Sequence, residues 1–162
     1  MAKINSSNEA FLTKLQALYD IEGALLKALP KMEKAASDPN LKEGFRMHLD
    51  ETQTHVERLE QIFEMMDSSP KKLKCEGIRG IIEDGEWVMK VTAPVPIKDA
   101  MIASSARYAE HYEMAGYMSA IDHADMLGMN DAMALLSETL KEEEAADEKL
   151  KTAMRDNMEM IQ

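Results

Sequence analysis

Glu110 and Glu113 stand three residues apart in Arg107-Tyr-Ala-Glu-His-Tyr-Glu113, and on a helix that spacing puts both carboxylates on one face. Ile102, Ala106, Tyr117, Ala120, Ala124 and Leu127 continue the same steps of three or four, the pattern of a core-facing stripe. Two acids therefore occupy places where a buried helix face normally carries Leu or Ile. An unpaired carboxylate is costly to bury, so the pair must neutralise, meet a cationic partner or coordinate a metal.

Three other segments break their apolar pattern in the same way. Glu22 is the polar member of a stripe made by Phe11, Leu15, Leu18, Leu25, Leu29 and Met32. His48 and His55 take core positions among Leu41, Phe45, Thr52, Leu59, Ile62 and Met66, and Glu51 lies at their edge between them. Glu143 and Asp147 replace apolar residues in the series Leu136, Leu140, Leu150, Met154. Six acids in a dry core would repel strongly, and two divalent cations would cancel most of that charge. Oxygen donors with one or two imidazoles suit iron or manganese alike, and the expected cofactor is a pair of divalent ions, iron foremost, with manganese or zinc as alternatives. Only one of the two histidines need be a ligand. His111 and His123 fall off the acidic stripes and read as surface residues, and Glu142 and Glu144 read as solvated flanks of Glu143.

Four long helices must position these groups. Ser6-Ser-Asn-Glu9 is a capping box that opens the first, which carries Pro30 late in its course. The short turn around Asp38-Pro-Asn40 predicts that the second helix, from about Leu41 to Met66, returns antiparallel. Residues 71–96 are too long for a hairpin and predict a crossover with a short helix over Ile78 to Val91, interrupted by Gly80 and Gly85. A crossover of this length lets the third helix, about Ile97 to Leu127, run parallel to the second. Gly128 reads as a C-cap and Asn130 as the next N-cap, and the fourth helix seam ends at Met154, leaving Arg155 to Gln162 as a short tail. Glu113 and Glu143 lie at similar distances on either side of the Gly128 turn, so at ~1.5 Å rise per residue they stand level. The expected architecture is an all-α four-helix bundle, one domain over residues 1–162, with an extra helix in the crossover.

Composition agrees with that class. Aromatics make up 5% of the chain, against 45% hydrophobic residues in total, which favours helices over a sheet. A net charge of −11 argues against nucleic acid as a partner. Cys75 is the single cysteine, so neither an internal disulfide nor a thiolate metal cluster is available. No apolar signal segment or membrane-spanning run is visible, and the expected location is the cytoplasm.

The motifs together resemble a known family. Ala17-Leu-Tyr-Asp-Ile-Glu22, His48-Leu-Asp-Glu51, Glu110-His-Tyr-Glu113, Thr139-Leu-Lys-Glu-Glu and Lys74-Cys-Glu-Gly-Ile-Arg-Gly-Ile-Ile resemble the YciE/YciF family of bacterial stress-associated proteins, within the ferritin-like superfamily. The resemblance implies a dimeric ferritin-like bundle with a di-metal centre. Glu22 and Glu110 would be terminal ligands, Glu51, Glu113 or Glu143 would bridge, and Asp147 with His48 or His55 would complete the set. The usual ferritin-like Glu-x-x-His is not met, because Thr54 and Ala146 stand three residues after Glu51 and Glu143. Two functions follow as expectations: a stress protein using peroxide or oxygen at the centre, or a non-catalytic bundle that the metals stabilise. Apolar residues such as Leu12, Leu26, Ile82, Trp87 and Val88 exceed what one core needs and predict a two-fold dimer. A short tail in place of a fifth bundle helix argues against a mineral-storing cage.

Overall fold

The first helix forms where the sequence supplies both a cap and an apolar stripe. The Ser6 side chain accepts a hydrogen bond from the Glu9 backbone N–H at 3.1 Å. From there α1 (Ser7–Ala35) buries Phe11, Leu15, Leu18, Leu25, Leu29 and Met32, and it continues past the exposed Pro30 to Ala35. The computed structural model describes residues 4–161, and among the described residues the regular elements are five helices. Asp38 caps α2 (Pro39–Met65) by accepting from the Asn40 N–H at 2.7 Å, and Pro39 takes a first-turn position where a missing N–H costs nothing. The crossover carries α3 (Glu76–Lys90), followed by α4 (Val95–Met126) and α5 (Asn130–Glu159).

α1, α2, α4 and α5 form the bundle, and α3 lies outside against α4 and α1. The contacts fix the directions. Asp99, near the start of α4, accepts from the backbone N–H groups of Ser37 and Asp38 at 2.9 and 2.7 Å. Asn157, near the end of α5, donates to the Asp38 carboxylate at 2.8 Å. The starts of α2 and α4 and the end of α5 therefore share one end of the bundle, so α4 runs parallel to α2 as expected. The crossover is tied to α1 on its way back. The Leu73 N–H donates to the Gln16 carbonyl at 3.0 Å, and the Asp20 carboxylate accepts from the Cys75 N–H at 2.9 Å and from the Arg79 guanidinium at 2.6 Å.

Several boundaries differ from the sequence expectation. α3 begins at Glu76 and ends at Lys90, and neither Gly80 nor Gly85 interrupts it; Gly85 is buried, facing Ser105 of α4. Asn130 is the first residue of α5 instead of its cap, a place held by Met129 without a side-chain bond. Gly128 does make the turn, at φ +66°, a left-handed conformation that suits glycine. The expected tail is helical as far as Glu159, because Asn157 is buried and hydrogen-bonded both to Asp38 and to the Ala153 carbonyl. On α5 the buried stripe passes from Leu136 through Thr139 to Glu143, where Leu140 was expected, and Leu140 is only partly covered. Among the described residues no helix is long and apolar enough to cross a membrane.

Candidate metal centre

The apolar stripes of the four bundle helices meet at mid-height, and their polar exceptions meet with them. α1 contributes Glu22, α2 contributes His48 and His55, α4 contributes Glu110 and Glu113, and α5 contributes Glu143, each of them buried. Donor atoms of His48, Glu110, Glu113 and Glu143 all lie within 4.8 Å of one another, and so do those of Glu22, His55 and Glu143. Glu143 belongs to both groups. The arrangement is two adjacent donor sets with one shared carboxylate.

The groups approach one another without satisfying one another. His55 Nδ1 lies 3.0 Å from Glu143 and 3.5 Å from Glu22, and His48 Nε2 lies 3.3 Å from Glu110 and 3.6 Å from Glu143. Even so, His55 Nδ1, His48 Nε2, Glu22 Oε2, Glu110 Oε2 and both oxygens of Glu113 and of Glu143 are buried without an aligned hydrogen bond. Buried polar atoms are rarely left so, and this concentration of orphaned lone pairs fits a cation-binding centre. Tyr117, fully buried beneath the cluster, donates its hydroxyl to Glu22 Oε1.

Electrostatics without a cation show the strain. Burial, with repulsion from Glu143, Glu22 and Glu110, pushes the Glu113 carboxyl well above the ordinary carboxylate range. Burial likewise pushes Glu143 up to about 7, a rise that His55 opposes and Glu110 reinforces. Burial works against a charged His55, but the carboxylates of Glu143 and Glu22 prevail and push it up to about 10. His48 is raised in the same sense, burial being outweighed chiefly by Glu110. In the ion-free centre the negative charge is thus held in check by protons on acids and imidazoles.

Two of the expected ligands lie outside both donor sets. Asp147 is buried on the correct face, but its carboxylate accepts from Arg107 at 2.7 and 3.1 Å and has His111 at 3.4 Å. The Arg107 guanidinium holds it below the usual carboxylate range. Glu51 is half-buried behind His48, 3.4 Å from Nδ1 and 3.9 Å from Lys149. With His48 and Glu110 it lines a cleft between α2 and α5 that opens toward solvent. Glu142, expected to be a solvated flank, accepts from His55 Nε2 at 2.9 Å and is gripped by Arg58. Arg58 and Glu142 are the residues that the sequence reading missed. The available signals were that Arg58 lies one turn beyond His55 and that Glu142 adjoins Glu143.

Comparison with known proteins follows the same outline. A family profile described as a domain of unknown function, DUF892, matches residues 6–160. The chain is 36% identical over 143 residues to Protein YciF of Escherichia coli (strain K12), spanning 88% of this chain and 86% of that protein. The crystal structure of the E. coli stress protein YciF superposes with a TM-score of 0.92 at 34% identity, covering 96% of this chain and 99% of that one. YcfI from Rhodopseudomonas palustris, described as a candidate structural protein, gives a TM-score of 0.89 at 36% identity, with 93% and 96% covered.

Proposed function

Because the chain belongs to the DUF892 family and its relative YciF is a stress protein, we propose a stress-response role that rests on two divalent cations held inside a ferritin-like bundle. The observation that carries this reading is the cluster of buried, unpartnered oxygen and nitrogen atoms divided into two sets by Glu143. Iron is the foremost candidate, with manganese or zinc as alternatives, and the setting we propose is the cytoplasm. His48, Glu110, Glu113 and Glu143 would hold one cation, and Glu22, His55 and Glu143 the other.

A redox-active cation pair would supply electrons for reducing peroxide or oxygen. The protein's own groups supply the rest. Glu22 is fixed by the Tyr117 hydroxyl, so its free oxygen is presented to the centre. The cleft beside His48, Glu51 and Glu110 admits a small oxidant, and the apolar walls above and below exclude bulk water. Elemental analysis after loading should give two cations per chain. Ferrous protein mixed with peroxide should oxidise rapidly in the wild type and at least tenfold more slowly in Glu110→Ala. Background oxidation by both, with normal loading, would favour the second reading: a bundle that its metals only stabilise, in keeping with the structural role suggested for YcfI.

A further inference from the structure

His55 is bracketed by consecutive residues of α5. Glu143 approaches its Nδ1 at 3.0 Å from within the centre, and Glu142 accepts from its Nε2 at 2.9 Å from the side. Successive residues on a helix point about 100° apart, so one turn of α5 can hold an imidazole by both ring nitrogens. Glu142 is itself clamped: Arg58 Nη2 donates to its Oε1 at 3.0 Å, while Nη1 donates to its Oε2 and, at 3.1 Å, to the Thr139 hydroxyl. Arg58 belongs to the same helix as His55 and is 9% exposed, so the guanidinium side of the clamp is buried while Glu142 is partly exposed. His48 is turned the other way. Its Nδ1 faces Glu51 and its Nε2 faces Glu110 and Glu143.

We propose that Glu142, locked by Arg58, is the positioning residue of His55: it keeps the proton on Nε2 and so dedicates Nδ1 to the buried cation. This rests on the cation-centre reading above. The ring nitrogen that meets a cation is set by the hydrogen bond that the other nitrogen makes. A carboxylate with a guanidinium behind it is a stronger and less movable acceptor than water. The two histidines of the centre therefore bind through opposite nitrogens, His55 through Nδ1 and His48 through Nε2. Their outer acids also differ in grip: Glu51 stands 3.4 Å from His48 with Lys149 nearby at 3.9 Å, whereas Glu142 stands 2.9 Å from His55 and is held by Arg58.

Zn(II) is a suitable probe because it is diamagnetic. In 15N-histidine-labelled wild type loaded with Zn(II), long-range proton–nitrogen correlation should show His55 protonated at Nε2 and metallated at Nδ1, with the reverse at His48. Glu142→Ala should let the His55 ring proton exchange quickly and should weaken Zn(II) binding by about 10–100-fold. Glu142→Gln, which keeps an oxygen acceptor but not the charge, should fall between. Glu138→Ala is the control: Glu138 also pairs with Arg58, at 3.0 Å, but is not among the partners of His55, so both readouts should stay near wild type. Metallation of wild-type His55 through Nε2 would overturn the proposal without recourse to any variant. Equal losses in Glu142→Ala and Glu138→Ala would overturn it as well. Wild type that takes up no Zn(II) would overturn this proposal together with the cation centre beneath it.

Discussion

At the scale of single residues, the centre trades stability for binding capacity. Glu113 is fully buried, and neither of its oxygens has a partner. Glu113→Leu should raise the stability of the ion-free protein by about 1–3 kcal/mol and abolish loading, because an apolar residue suits the stripe better than a lone acid. A denaturant titration with parallel metal analysis checks both outcomes. Protonation gives a second prediction. Glu143 is pushed up to about 7 from 4.5 and His55 up to about 10 from 6.5, so the folded state keeps protons that the unfolded chain gives up. The resulting stabilisation is present below the ordinary values and is lost through pH 4.5–7 for Glu143 and 6.5–10 for His55. The ion-free melting temperature should fall by on the order of 5 °C or more between about pH 5 and pH 9. Cation uptake should in turn release protons and tighten over the same range. The inward acids were legible in the sequence because each interrupts an apolar period. Asp147 obeys the same period and yet meets Arg107, because periodicity gives the face and leaves the partner across the bundle unstated. Glu142 and Arg58 were illegible for the complementary reason: charges on the flank of a helix resemble solvated ones until the neighbouring helix is in place.

At the scale of elements, the long stripes carry the fold and the joints carry its precision. The heptad-like spacing of α1, α2 and α4 is reproduced almost residue for residue, since buried apolar area dominates helix packing. The joints depend on single polar contacts over long sequence separations, such as Asp99 to Ser37 and Asp20 to Cys75, which no local pattern announces. The end of α5 is such a case, for the helix persists to Glu159 where Asn157 reaches Asp38. Asp20 is the main anchor of the crossover. Asp20→Ala removes the acceptor of both the Cys75 N–H and Arg79, which should cost about 1–2 kcal/mol given that Arg79 is partly exposed. Hydrogen exchange should quicken across residues 73–80 and change little at mid-height in α2 and α5. Uniform quickening along the bundle would show that the anchor supports the whole fold.

At the scale of the whole molecule, the exposed apolar surface bears on assembly. Trp87 is 65% exposed on α3, with Val88 and Ile82 only partly covered beside it, while Leu12 and Leu26 are partly buried on α1. We propose the two-fold dimer that these residues suggest, and light scattering on a size-exclusion column should give about twice the 18.2 kDa chain mass. Trp87→Glu should then yield monomers with unchanged helicity, whereas a particle of a dozen chains would reopen the storage reading. The shared carboxylate has a further consequence for how such a molecule fills. Glu22, Glu110, Glu113 and Glu143 carry four negative charges when ionised, and two divalent cations carry four positive ones. With both ions present the interior is neutral. With one, either two negative charges stay uncompensated in a dry interior or protons must remain to quench them, and Glu143 is committed to a single neighbour. The first ion draws the shared Glu143 into place and discharges its proton, which the second ion then need not displace, so uptake should show positive cooperativity, with a Hill coefficient between 1 and 2. Native mass spectrometry at half saturation should find chains that are empty or doubly filled, and few in between.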